Sequence, residues 1–242
     1  MRQGFGVANG HIPAIAAAMS PVPPALADIR ARLTRAAALA GRKAEDVALI
    51  AVSKTKPPEA IEPLLAAGHR LFGENRVQEA QAKWPALRDR YPDAQLHLIG
   101  QLQSNKAEEA VALADAIHAV DRPSLVAALA RAMDRADKRP ACFVQVNIGE
   151  EAQKGGVAVA ALPGLLAETR RAALPVVGLM CLPPAGVEPA PYFALLAKLA
   201  CDHGLAALSM GMSDDFETAA MLGATHVRVG SALFGARPGT TA

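Results

Sequence analysis

The chain has 242 residues, of which 52% are hydrophobic and 20% charged, and its 25 basic residues against 23 acids leave a net charge of +2. Nothing forms a basic stripe, and 4% aromatics supply no stacking platform, so the composition argues against a nucleic-acid surface. No apolar run is long enough to span a membrane, and a core large enough for one α/β barrel is available.

Residues 1–20 are rich in glycine and alanine without periodicity and are expected to be poorly ordered, with Met19 an alternative start. Residues 21–242 are expected to form one domain. A helix is predicted from Ala25 to Ala40, closed by Gly41. Strand one, Val47–Ser53, is an apolar run that ends at Lys54. A helix opening at Pro57-Pro58 runs to Ala67. Strand two is Arg70–Gly73, followed by a helix over Arg76–Arg90. Strand three is Leu96–Gly100, with a helix over Ser104–Leu113. Strand four is Ala116–Val120, and its helix runs from Pro123 to Asp137. Strand five, Cys142–Asn147, leads through a glycine-containing loop to a helix over Val159–Ala172. Strand six, Val176–Cys181, leads through a proline-rich loop to a helix ending near His203. Strand seven is Ala206–Ser209, with a helix over Asp214–Leu222. Strand eight, His226–Gly230, precedes a short element near Phe234.

The strands are apolar throughout, as when both sheet faces are covered, and they alternate with helices. Eight such units predict a closed (β/α)8 TIM barrel in the α/β class. A doubly wound open sheet is the alternative, but no Gly-x-Gly-x-x-Gly follows strand one. The three cysteines, Cys142, Cys181 and Cys201, form no CxxC pair and are expected to be free thiols in a reducing cytoplasm. The histidines show no metal-ligand spacing.

In a barrel the loops after the strands share one rim, where sites are built. Lys54 stands at the end of strand one. Partial desolvation there would free its lone pair for a carbonyl, whereas its common fate is to snorkel to solvent. Glu74 and Asn75 end strand two. Asn147 ends strand five, with Glu150, Glu151 and Lys154 after it. Gly230 and Ser231 follow strand eight and suit a phosphate, or form only a turn. Ser213, after strand seven, serves either that phosphate or the N-cap of the next helix. Alternation puts His226, Arg228 and Gly230 on one side of strand eight and Val227 and Val229 on the other. A lumen-facing Arg228 needs a partner, either an ion pair with an acid such as Glu74 or a ligand.

These segments, AVSKTKP, FGEN-x-VQEA, HLIGQLQSNK, QVN, GLM, LSMGMSDDFETA and GATHVRVGSALFGAR, run in order from Leu49 to Arg237. Together they resemble the pyridoxal phosphate homeostasis protein family, relatives of the barrel domain of alanine racemase. The resemblance implies pyridoxal 5′-phosphate held as an aldimine on Lys54, with Arg228 at the pyridine nitrogen. It places Gly230, Ser231 and Ser213 on the phosphate and Asn75 beside the cofactor. Arg76, Gln101 and Cys181 depart from the residues common in that family. The implied role is buffering and delivery of the cofactor to apoenzymes without a firm catalytic activity; a cytoplasmic location and a monomeric state are expected besides. The racemase alternative needs a second base. No C-terminal β domain is expected, Tyr91 precedes strand three, and Tyr192 begins the helix after strand six. A cofactor-free lysine aldolase is a third reading. Lys56 and Lys154 are rim amines through which the aldehyde could transfer.

Overall fold

The computed structural model describes residues 21–235, so the expectation for residues 1–20 lies outside the described residues. The first half comprises α1 (Pro24–Leu39), β1 (Ala48–Val52), α2 (Pro58–Ala66), β2 (Leu71–Glu74), α3 (Val77–Arg90), β3 (Gln95–Leu98), α4 (Ala107–Leu113), β4 (Ala116–Val120) and α5 (Pro123–Ala136). The second comprises β5 (Ala141–Asn147), β6 (Val157–Ala158), α6 (Leu162–Arg171), β7 (Val176–Cys181), α7 (Ala190–Asp202), β8 (Ala207–Ser209), α8 (Phe216–Met221), β9 (His226–Val229) and α9 (Ser231–Phe234).

Local chemistry explains the alternation. Several helices begin with proline in their first turn, where the missing N–H costs nothing, as at Pro24, Pro58 and Pro123. Gly41 and Gly68 follow α1 and α2 with positive φ of 67° and 81°, a backbone that reverses the chain without a Cβ penalty. Helix α5 buries Leu125, Val126, Leu129, Ala132 and Met133, a helical stripe facing the sheet.

Every strand pairing is parallel. The order is β4-β3-β2-β1-β9-β8-β7-β5, and pairing of β4 with β5 closes it into an eight-stranded barrel. The expected TIM barrel is therefore the fold. Among the described residues strand β6 stands outside the ring, pairing only with β5 through Val146↔Val157 and Asn147↔Ala158. The sequence reading has a plain loop there. A two-residue ladder has no periodicity to betray it, and close approach at Gly156, where a Cβ would meet Asn147 N at 2.5 Å, makes it possible.

Two layers of core result. Between sheet and helices lie Val227 and Val229 with Leu26, Phe72, Trp84 and Leu129. The barrel interior is more polar and holds Arg228, Ser209, His118 and His97, all buried. The predicted alternation of β9 is thus the one observed. Strand two differs by one residue: Glu74 lies within β2, paired in register with Leu98, and not after it. Helix α8 starts at Phe216, two residues later than expected, because Asp215 takes the N-cap position.

Candidate functional site

The turn after β1 is built from both sides. Ser53 is fully buried; its N–H donates to the Gly73 carbonyl at 3.0 Å and its hydroxyl to Glu74 Oε1 at 2.7 Å. Lys54 follows and is half-buried. Thr55 then adopts a left-handed φ of 62°, a conformation strained for a β-branched residue, and its N–H donates to the Glu79 carboxylate. Lys83 reaches in from α3. Its ammonium bonds the Ser53 carbonyl at 3.0 Å and the Lys56 carbonyl at 3.1 Å, and pairs with Glu74 at 2.7 Å and Glu79 at 2.9 Å. One cation thus pins the backbone on both sides of Lys54. Burial pushes the Glu74 carboxyl up, against the bonds from Lys83 and Ser53, and its Oε2 has no hydrogen-bond partner.

Asn75 is set by a close packing contact. A Cβ on Gly100 would lie 2.4 Å from the Asn75 carbonyl oxygen, so glycine is required for the chain after β3 to pass there. Across the rim, Ser213 Oγ accepts from Gly230 N–H at 3.3 Å and Ala232 N–H at 3.4 Å. The N-cap alternative for Ser213 is thereby overturned, since its hydroxyl turns to the β9 loop. Asp215 Oδ1 instead accepts from Met212 N–H at 2.5 Å. Gly230 also lies close to β1, where a Cβ would come within 3.3 Å of the Val52 Cβ.

Arg228 is 4% exposed, and burial lowers its pKa from the ordinary arginine value. Its Nη1 donates to Ser209 Oγ at 2.6 Å and its Nη2 to the Cys181 carbonyl at 2.9 Å. The expected alternative of an ion pair with Glu74 does not form, because Lys83 takes that carboxylate. Among the described residues no carboxylate lies within salt-bridge distance of Arg228.

Lys54, Asn75, Ser213, Arg228, Gly230 and Ser231, all six picked out from the sequence, line one cleft of about 300 Å³. That lies at the small end of the range for ligand sites, about 300–1,000 Å³. Val52, Ile99, Leu182 and Met212 supply apolar wall, and Thr55, Lys56 and Asp214 further polar surface. The apolar residues escape sequence reasoning because only their position after a strand marks them. Lys154 does not line the cleft; its ammonium bonds the Pro183 carbonyl at 2.9 Å and pairs with Glu151 at 2.6 Å. Lys56 does, while donating to the Phe234 carbonyl at 3.0 Å. Neither tyrosine lines it: Tyr91 caps α3 beneath Arg70, and Tyr192 packs on the core from α7. No group of three or more potential metal ligands occurs among the described residues, and no described helix is long and apolar enough to cross a membrane.

An amine, a guanidinium and a set of N–H and hydroxyl donors thus share a cleft with apolar walls. Such a set suits a small ligand that carries a carbonyl within reach of the amine and an anion within reach of the donors.

Comparison with known proteins agrees in extent. The family described as "Alanine racemase, N-terminal domain" matches residues 25–238. The pyridoxal phosphate homeostasis protein of Pseudomonas aeruginosa is 41% identical over 231 residues, covering 90% of this chain and 97% of that one. Its namesake in Escherichia coli is 37% identical over 230 residues, covering 88% and 95%. Among solved structures, PipY of Synechococcus elongatus without PLP superposes with a TM-score of 0.80 at 38% identity, covering 89% of this chain and all of that one. The same protein with PLP bound gives 0.74 at 40% identity, covering 86% of this chain. Alanine racemase of Clostridium difficile, at 13% identity and a TM-score of 0.65, shares the fold over 58% of its own length.

Proposed function

This chain belongs to the pyridoxal phosphate homeostasis protein family, and from that premise we propose that it holds pyridoxal 5′-phosphate in the cleft at its barrel rim. The observation that carries the reading is the convergence of Lys54, Arg228 and the Ser213–Gly230–Ser231 donors on one cavity. When bound, the group supplies an electrophilic aldehyde carbon and a pyridine ring that can accept electron density.

Lys54 would provide the amine for that aldehyde. Half-burial and a pinned turn hold this amine at the rim. Gly230, Ser231 and Ser213 would hold the phosphate, for which convergent N–H groups and small side chains are suited. Asn75 would lie beside the ring. Arg228 would meet the pyridine nitrogen. A guanidinium keeps its proton at any physiological pH, and a second positive charge beside it is disfavoured, so the nitrogen stays unprotonated. That weakens carbanion chemistry and favours holding the cofactor over turning over amino acids. The proposal extends to buffering of free cofactor in the cytoplasm and its release to apoenzymes by a monomer, with Cys142, Cys181 and Cys201 all free as a reducing compartment requires.

Borohydride reduction after incubation with the cofactor, followed by peptide mass spectrometry, tests the reading. A pyridoxyl mass is expected on Lys54, and Lys54→Ala should lose it together with at least about 100-fold in affinity, equivalent to roughly 2.7 kcal/mol. Attachment at another lysine, or unchanged binding by the variant, would overturn the assignment. Exchange of the α-hydrogen of free amino acids at an enzyme-like rate would replace holding with catalysis.

A further inference from the structure

Beneath the cleft a file of buried polar groups continues down the barrel interior. Arg228 Nη1 donates to Ser209 Oγ at 2.6 Å; Ser209 Oγ is 2.9 Å from His118 Nδ1, and His118 Nε2 is 3.0 Å from His97 Nδ1. Ser209 and His118 are fully buried, so bulk water reaches neither.

Counting donors settles where the protons sit. Arg228 can only donate, so Ser209 Oγ accepts from it. The serine hydroxyl has one proton of its own to place. Were His118 Nδ1 protonated, the serine oxygen would receive two donors and its own proton would face no acceptor, which a buried site does not tolerate. Ser209 therefore donates to a bare His118 Nδ1. His118 then carries its proton on Nε2 and donates to His97 Nδ1, which leaves the His97 proton on Nε2. Burial keeps both rings neutral, holding His97 down to about 3 and His118 well below the ordinary value. Every bond runs in one direction, away from the cation, so each polarises the next.

We propose that Ser209 and His118 are positioning residues for Arg228. His118 fixes the serine hydroxyl as an acceptor, and that hydroxyl, with the Cys181 carbonyl, sets the plane and depth of the guanidinium at the cleft floor. Its consequence for the cofactor rests on the proposed function; the relay itself does not. His118 is stacked on Phe143, with ring centroids 4.1 Å apart, which holds the imidazole plane in turn.

Two measurements on isotopically labelled protein without added cofactor test the relay. Long-range proton–nitrogen correlation spectra at neutral pH should show the Nε2–H tautomer for both His118 and His97; an Nδ1–H tautomer at His118 would overturn the inference. The Arg228 Nη groups should give separate signals in the parent and averaged ones in Ser209→Ala or, should that variant not fold, in His118→Phe. Separate signals in the folded variant would equally overturn it. Titration with pyridoxal 5′-phosphate adds the ligand arm. Ser209→Ala should weaken binding about 10-fold, or roughly 1.4 kcal/mol. Ser209→Thr should recover most of that loss, and in an Arg228→Gln background Ser209→Ala should change affinity less than about twofold, or roughly 0.4 kcal/mol. Equal losses in both backgrounds would mean that Ser209 acts without Arg228. If the parent takes up no cofactor, the proposed function fails while the spectra still decide the relay.

Discussion

Burial decides the chemistry of single residues here more than residue type does. Cys142 and Cys181 are buried, and desolvation pushes both thiols up to about 12, whereas Cys201 is exposed. A thiol must ionise to react, so the native protein should give one fast-reacting thiol with a disulfide reagent and three after denaturation. Three fast thiols in the native state would contradict this burial. Arg228 is buried as well. Its place in β9 and its inward direction were legible from the alternation in HVRVG, but its partners were not. Ser209 and Cys181 come from strands 19 and 47 residues away in the chain.

The β1 turn and helix α3 act as one unit. The sequence marks Lys54 by its place after an apolar run, yet Lys83, which pins both sides of the turn, lies 30 residues from Ser53 in an unremarkable helical stretch. Lys83→Met should cost about 3–5 kcal/mol, because it leaves the Glu74 carboxylate buried without a counter-charge. The double variant Glu74→Gln with Lys83→Met should recover a large part of that loss. Urea midpoints measure both, and a single variant as stable as the parent would show that the pair is energetically neutral. The single variant should also bind pyridoxal 5′-phosphate more weakly, since the amine of Lys54 would sit on a looser turn. Ser213 shows the same limit of local reasoning. Its N-cap alternative followed from the helix start beside it, and the competing partners, Gly230 N–H and Ala232 N–H, come from the next strand's loop.

For the whole molecule, the polar interior sets the response to acid. Burial holds His69 and His226 down to about 4 and His97 to about 3, and His118 lower than its ordinary value. In the unfolded chain these rings titrate near about 6.5. Between pH about 6.5 and those depressed values the unfolded chain binds more protons, so their contribution is complete above pH about 6.5 and drains as pH falls. At full titration the His69 and His226 rings each withhold on the order of 3 kcal/mol. Glu74 runs the other way: its raised carboxyl favours the fold most in acid and loses that contribution as pH rises through its folded value. Several rings outweigh one carboxyl, so the denaturant midpoint should be flat from pH 8 to about 7 and fall steadily from about 6.5 to about 4. A midpoint unchanged at pH 5 would mean that these rings are hydrated in the native state.

By itself the sequence determined the class of fold and the candidate ends of its strands. Apolar strand runs, helical stripes and proline or glycine boundaries are properties of neighbouring residues, and strict alternation of strand and helix leaves a parallel barrel as the economical closure. It also set out Lys54, Asn75, Ser213, Gly230 and Ser231 as rim residues, since chain order alone decides which residues follow a strand, and Arg228 as a lumen-facing residue from the alternation within strand eight. Only the tertiary structure decided who partners whom. Closure of β4 on β5 is what brings residues as far apart as His118 and Ser209, 91 positions distant, within one hydrogen bond. A buried donor takes whichever acceptor the folded chain places beside it, and that choice is made across the barrel, beyond the reach of any local pattern.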